Sequence, residues 1–295
     1  MRNKKTILAL GVLAGVMFIV TGVLFFTIGP WASKKTESTT VVTTTESTTA
    51  VTTETTETTT VPTTTETTTE TTTETTTEAT TTKPKDYDLT GMVVCLDPGH
   101  QLHADYGTEP LAPWSDEQKT KVSSGTQGVV TKRPEHEVNL EIGLRMRDYL
   151  VEQGATVVMT RTEADVKISN IERANVALNC NADVYIRIHC DDAGNSSVRG
   201  VGVFVCSRGE LAESLVTWGK MLGNCMAEAT GAKFRGCYPS TTYSGLNWCT
   251  SIPAFLLELG YMSNAEDDRL LSDPDYQDKI CKGVAAFCLQ MKERG

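Results

Sequence analysis

Apolar positions along the latter two-thirds of the chain follow two periods in turn. Short continuous apolar runs bounded by turn residues occur at 92–97 (ended by Pro98-Gly99), 155–160, 183–189, 200–206 and 253–260. Such runs predict buried strands, and Pro253 falls at the first strand position, where a missing N–H is tolerated. Between them the period lengthens to that of a helix. Residues 135–153 carry Val138, Ile142, Met146 and Tyr149 on one stripe and are closed by Gly154. Residues 169–180 open with Ser169 and Glu172 in capping-box spacing. Residues 210–230, closed by Gly231, and 275–294 complete the helices. Strands alternating with helices predict an α/β fold: a mostly parallel twisted sheet flanked by helices. Residues 101–133, rich in Gly, Ser, Thr and Pro, read as a long loop without structure of its own, of the kind that is usually functional or mobile.

The first part of the chain cannot build a core. Residues 6–29 carry no charge, more than the ~20 residues a bilayer-spanning helix needs and longer than the apolar stretch of a cleaved signal. Arg2, Lys4 and Lys5 precede the run and Lys34 and Lys35 follow it. The leading cluster favours a cytoplasmic amino terminus and an external remainder, although the trailing pair weakens that asymmetry. Residues 1–33 therefore read as a cytoplasmic tip and an uncleaved transmembrane signal anchor. Residues 34–85, nearly all Thr with spaced Glu, offer too little apolar surface to fold and read as a disordered, charge-extended stalk or spacer. Residues 86–295 form the folded domain. It is placed on the outer side of a single-pass cell-membrane anchor.

Charge narrows the function. Lys plus Arg number 27 against 37 Asp plus Glu, a net charge of −10, which argues against nucleic acid as a partner. All nine cysteines lie in the folded domain. Nine is odd, several sit inside apolar runs, and no C-x-x-C pair occurs, so they read as buried hydrophobes rather than as bridges or a thiolate metal site.

The chemistry gathers at strand ends. In open α/β sheets, sites form outside the carboxyl ends of the strands. His100 follows one strand, His189 closes another, and Glu258 lies near the end of a third. A hydrolytic zinc site takes three protein ligands and leaves one position for water, so two histidines call for a carboxylate. Helical spacing puts Glu137, Glu141, Arg145, Asp148 and Glu152 on one polar face and continues the apolar stripe through Glu135. Glu135 is the inward carboxylate, at the helix end that favours negative charge. His136 and His103 read as surface or loop histidines.

Four segments then carry a resemblance: Asp97-Pro98-Gly99-His100; Glu135 through Asn139-Leu140 opening a helix; Arg187-Ile188-His189; and Leu257-Glu258-Leu259-Gly260 followed by Ser263-Asn264. Together, in this order, they resemble the zinc-dependent N-acetylmuramoyl-L-alanine amidases of the type 3 family, from about residue 92 to 286. The resemblance implies one Zn2+ held by His100, Glu135 and His189, with Glu258 as catalytic glutamate. It implies hydrolysis of the amide joining N-acetylmuramic acid to L-alanine in peptidoglycan, with zinc-bound water as nucleophile and Glu258 as general base, then acid. Residues 86–295 are then the catalytic domain. The chain departs from the family pattern at Gln101-Leu102, where a Gly-Gly pair is common, and at Arg187, where a serine is common. Alternation leaves Arg187 on the same face as His189, which puts a cation close to the expected metal.

Other readings compete. Cys190 adjoins His189, but strand neighbours point to opposite faces, which disfavours a Cys–His nucleophile. A non-catalytic or partner-activated peptidoglycan-binding ectodomain is the alternative, and nothing in the sequence identifies a protein activator. Trp248 reads equally as a cleft wall or as loop packing, and Glu172-Arg173 as a structural ion-pair network.

Overall fold

The computed structural model describes residues 85–294. The expected membrane helix and Thr-rich stalk lie outside the described residues. Among the described residues, no helix is long and apolar enough to cross a membrane.

The chain runs β1 (Val93–Pro98), β2 (Asp105–Ala112), β3 (Ser115–Val122), α1 (Glu135–Glu152), β4 (Thr156–Met159), α2 (Asn170–Asn179) and β5 (Val184–Asp191). It continues through β6 (Val201–Cys206), α3 (Ala212–Thr230), β7 (Phe234–Ser240), α4 (Ser244–Asn247), β8 (Ala254–Tyr261), α5 (Ala265–Leu271) and α6 (Pro274–Lys292). Six strands form one sheet in the order β4-β1-β5-β8-β6-β7. Every neighbouring pair is parallel except β6 with β8, so the sheet is mixed.

Strand alternation divides the core into two layers. Val94, Leu96, Ile186, Ile188, Phe255 and Leu257 face one side, where they meet buried residues of α1, α3 and α6, such as Ile142, Leu222 and Val284. Cys95, Tyr185 and Leu256 face the other, against Ala174 and Ala177 of α2 and Leu246 of α4. Asp97, Arg187, His189 and Glu258 share this second face by register: Asp97 pairs with Arg187 across β1–β5, and His189 with Glu258 across β5–β8. The helix ends follow their expected chemistry. Ser169 and Glu172 form a complete capping box, and Gly231 caps α3 at φ 75°.

Residues 101–133 are not a structureless loop. They contain β2 and β3, paired antiparallel as a separate two-stranded sheet. This hairpin was hidden because Gly107 and Pro110 interrupt β2 and because β3 is polar at every position but Val122. An edge strand, β7, was missed for a related reason: Gly236 and Pro239 blur a strand that pairs on one side only. All nine cysteines are free thiols, seven of them buried.

Candidate active site

The three proposed ligands converge. A glutamate at the first position of α1 reaches across the carboxyl ends of β1 and β5 to meet two histidines. Glu135 Oε2 lies 3.2 Å from His100 Nε2, and Glu135 Oε1 lies 3.2 Å from His189 Nδ1. One donor atom from each residue falls within 4.8 Å of the others. The imidazoles meet edge to face with centroids 4.8 Å apart.

Each side chain is held by its neighbours. Glu135 accepts hydrogen bonds from the backbone N–H of Thr126 (3.0 Å) and Cys190 (3.1 Å) and from Asn139 Nδ2 (3.1 Å). His100 has φ 59°, a left-handed conformation that is costly for a residue with a side chain. Three contacts hold that turn: Arg161 donates to the Gly99 carbonyl, Arg173 donates to the His100 carbonyl, and His100 Nδ1 lies 2.9 Å from the Ser123 carbonyl. Donation from Nδ1 to that carbonyl would leave Nε2 facing the cluster. Gly99 is required for space, since a methyl group there would overlap the His189 ring. Gly125 has φ +76°, and a Cβ there would lie 2.7 Å from Glu135 Oε2.

Electrostatics match the geometry. Burial pushes Glu135 upward, but hydrogen bonds with His100 and His189 outweigh it and hold the carboxyl well below its usual range. Burial and the neighbouring His100 push His189 down to about 4, which keeps its imidazole neutral near pH 7, as a ligand must be. Burial, then the charges of Glu135 and Asp191, push Glu258 well above the usual carboxylate range. His189 Nε2 and Glu258 Oε2 are buried without a hydrogen-bond partner. Two such orphans in one pocket are costly unless a ligand satisfies them. Two imidazoles, one carboxylate and unpartnered buried atoms fit a hydrolytic zinc ion.

The cluster lines a cleft of about 400 Å3 together with Glu258. Arg187 belongs elsewhere. It donates to Asp97 Oδ2 (2.7 Å) and Asn170 Oδ1 (2.6 Å), one pleat repeat back from His189, so its charge is already matched. His136 corrects an expectation: it is buried, 6% exposed, rather than a surface residue, because α1 packs its first turn against the sheet end. His103 is exposed. Cys190 faces the opposite core layer and burial pushes its thiol well above its ordinary range, which removes it as a nucleophile. Trp248 is loop packing, its indole donating to the Pro110 carbonyl. Glu172 caps α2 and Arg173 pairs with Asp97 in the core, both structural roles. Four further residues of the cleft were not found from sequence: Lys119 on the hairpin and Tyr243 before α4 lie where the pattern shows no register, and Asn170 and Asp191 are polar ends of α2 and β5 that carry no motif.

The family model described as N-acetylmuramoyl-L-alanine amidase matches residues 94–289, which span all four site residues. This chain belongs to that family. The amidase is 27% identical over 223 residues to the germination-specific N-acetylmuramoyl-L-alanine amidase of Bacillus subtilis, covering 68% of this chain and 80% of that protein. Among solved structures it resembles the amidase Ami1 of Mycobacterium smegmatis, with a TM-score of 0.61, 27% identity and coverage of 68% and 98%. The apo Ami1 of Mycobacterium abscessus is similar, with a TM-score of 0.60, 26% identity and coverage of 67% and 99%. The matches cover the α/β domain, which agrees with the resemblance seen in the four sequence segments.

Proposed function

We propose that this amidase cleaves the bond between N-acetylmuramic acid and L-alanine using one zinc ion held by His100, Glu135 and His189, with Glu258 moving the proton. The observation that carries the reading is the meeting of those three donors beside a buried, unpartnered Glu258 carboxylate. When bound, such an ion supplies Lewis acidity, polarising an amide carbonyl and acidifying water.

The remaining work falls to the chain. Glu258 accepts a proton from the attacking water and returns it to the alanine nitrogen as that amine leaves. Burial and the charges of Glu135 and Asp191, which raise its pKa, favour the protonated form that returns the proton to the leaving amine. Glu135 is fixed by backbone and amide donors, so it stays ionised and does not compete for that proton. The seating of His189 against Gly99, and the contact of His100 with Ser123, hold both rings with little freedom to reorient.

The same reading places the domain outside a membrane anchor formed by residues 1–33 and carried on residues 34–85. The uncharged run at 6–29 and its flanking cations support this. Recovery of the full chain in a carbonate-washed membrane fraction is expected; a soluble, shortened chain would sink the anchor.

The catalytic reading is tested with purified full-length chain and peptidoglycan. New L-alanine amino groups are expected, lost on chelation and restored by zinc. Wall binding without release would favour the non-catalytic ectodomain instead.

A further inference from the structure

The cleft is lined by groups of both signs. Asp191 and Asp192, at and just past the end of β5, line it with Glu135 and Glu258. Lys119 of β3 lines it with Asn170 and Tyr243, near Arg187, which lies four residues before Asp191 on β5. One ammonium of this cleft is to spare. Arg187, also in the cleft, is consumed by Asp97. Lys119 is half-buried, donates to the Thr242 carbonyl and lies 5.4 Å from the centre of the Tyr243 ring. Among the described residues it makes no ion pair: Glu109, its register partner on β2, turns instead to the Ile171 N–H at the start of α2. Burial and the nearby Arg187 push the Lys119 ammonium down from its ordinary range, as expected for a cation short of an anion.

An ammonium has three donors, and the Thr242 carbonyl takes one. A partly desolvated cation with unused donors, in a cleft otherwise lined by Glu135, Asp191, Asp192 and Glu258, selects an anion and fixes its direction. We propose that Lys119 is a specificity residue that binds a free carboxylate on the peptide portion of the substrate. A carboxylate is repelled by Asp191 and Asp192 and drawn to Lys119 on the hairpin, so the peptide enters in one direction. The hairpin also reaches the cluster directly: Ser123, just past β3, contacts His100. Substrate held on β3 is therefore registered against a site residue through four residues of chain. The proposal rests on the amidase reading and adds a charge preference: stem peptides with free carboxylates over those converted to carboxamides.

The test uses the full-length chain and one peptidoglycan preparation, before and after carbodiimide-mediated amidation of its carboxyl groups with ammonia. Wild type is expected to release L-alanine amino groups about tenfold faster, or more, from untreated wall, the size of a hydrogen bond to a charged group. Raising the salt concentration should shrink that ratio. Lys119→Met should bring the ratio close to one by slowing hydrolysis of untreated wall. Lys121→Met, on the same hairpin but outside the cleft, should keep it. Both substrates are assayed on the same protein, so a partly misfolded variant does not distort the ratio. A wild-type ratio near one, a Lys119→Met ratio equal to wild type, or an equal fall in Lys121→Met would each overturn the role of Lys119. No release from untreated wall would instead overturn the amidase reading itself, and this role with it.

Discussion

Two carboxylates on one face of the sheet have opposite surroundings. Asp97 on β1 and Glu258 on β8 are both buried and both sit beside a functional group on β5, Arg187 and His189 respectively. Asp97 is saturated. It accepts from Arg173 (2.7 Å), Arg187 (2.7 Å), Thr160 (2.6 Å) and Tyr185 (3.0 Å). Burial pushes its pKa upward, but the two guanidiniums outweigh it and hold the carboxyl far below the usual range. Glu258 has an oxygen with no partner, and its pKa moves the other way. The two acids flank β5 one pleat repeat apart, one saturated by the protein and the other left for the proposed chemistry. The difference lies in whether the protein itself completes the hydrogen bonding, not in burial or residue type.

The sharpest way to break this contrast is to neutralise each acid without changing its shape. Glu258→Gln is expected to cost roughly a hundred- to ten-thousand-fold in hydrolysis while leaving the melting temperature and zinc content close to wild type. A Gln variant with normal turnover would make Glu258 another structural acid. Asp97→Asn should do the reverse, destabilising the fold by roughly 3–5 kcal/mol because Arg173 and Arg187 lose their buried counter-charge. Urea unfolding measures it. Titration adds a sign. Because Asp97 has a lowered pKa in the fold, its contribution is complete above its unfolded pKa of about 4 and is lost as pH falls below that. Wild type should therefore lose stability more steeply than Asp97→Asn below about pH 4; parallel curves would show that the pair contributes little.

Smaller effects sharpen the picture. Gly99→Ala, which pushes a methyl group into the His189 ring, should cost roughly 1–3 kcal/mol of stability. It should also weaken zinc binding by about tenfold or more, read by competition with a chromogenic chelator. Unchanged zinc affinity would show that His189 can move freely. Trp248→Phe removes one hydrogen bond to Pro110 and is expected to lower stability by only ~0.5–1.5 kcal/mol, without altering the rate of hydrolysis. A large loss of rate would return Trp248 to the cleft.

The parts of the fold that were legible in sequence are those with a repeating pattern. The central strands β1, β5 and β8 are continuous apolar runs, and α1 and α2 show their apolar stripe and capping box, so each appears within a few residues of its expected place. The meeting of the candidate residues was legible for the same reason: His100 follows one recognisable strand, His189 and Glu258 lie in the carboxyl-terminal halves of two others, and helical period separates Glu135 from its polar neighbours. What failed was contact without period. The β2–β3 hairpin has a polar exposed face and interrupting Gly and Pro, so its strands carry no alternation. Lys119 could therefore not be placed against Tyr243, and residues at 123–126 could not be placed beneath His100 and Glu135. Arg187 was assigned to the right face, but the pull of Asp97 on it depends on a neighbouring strand, which alternation alone does not reveal. His136 is buried by the packing of the first turn of α1, a tertiary effect that overrides a polar residue's ordinary place.

The nine thiols carry a consequence for handling the protein. Seven are buried and none is bridged, so the native domain needs no oxidant to assemble and offers alkylating reagents little to react with. Each unfolding event, however brief, exposes sulfur. Mass labelling with iodoacetamide would thus record opening as a stepwise gain in adducts, and the interior would act as its own counter of how often the molecule comes apart.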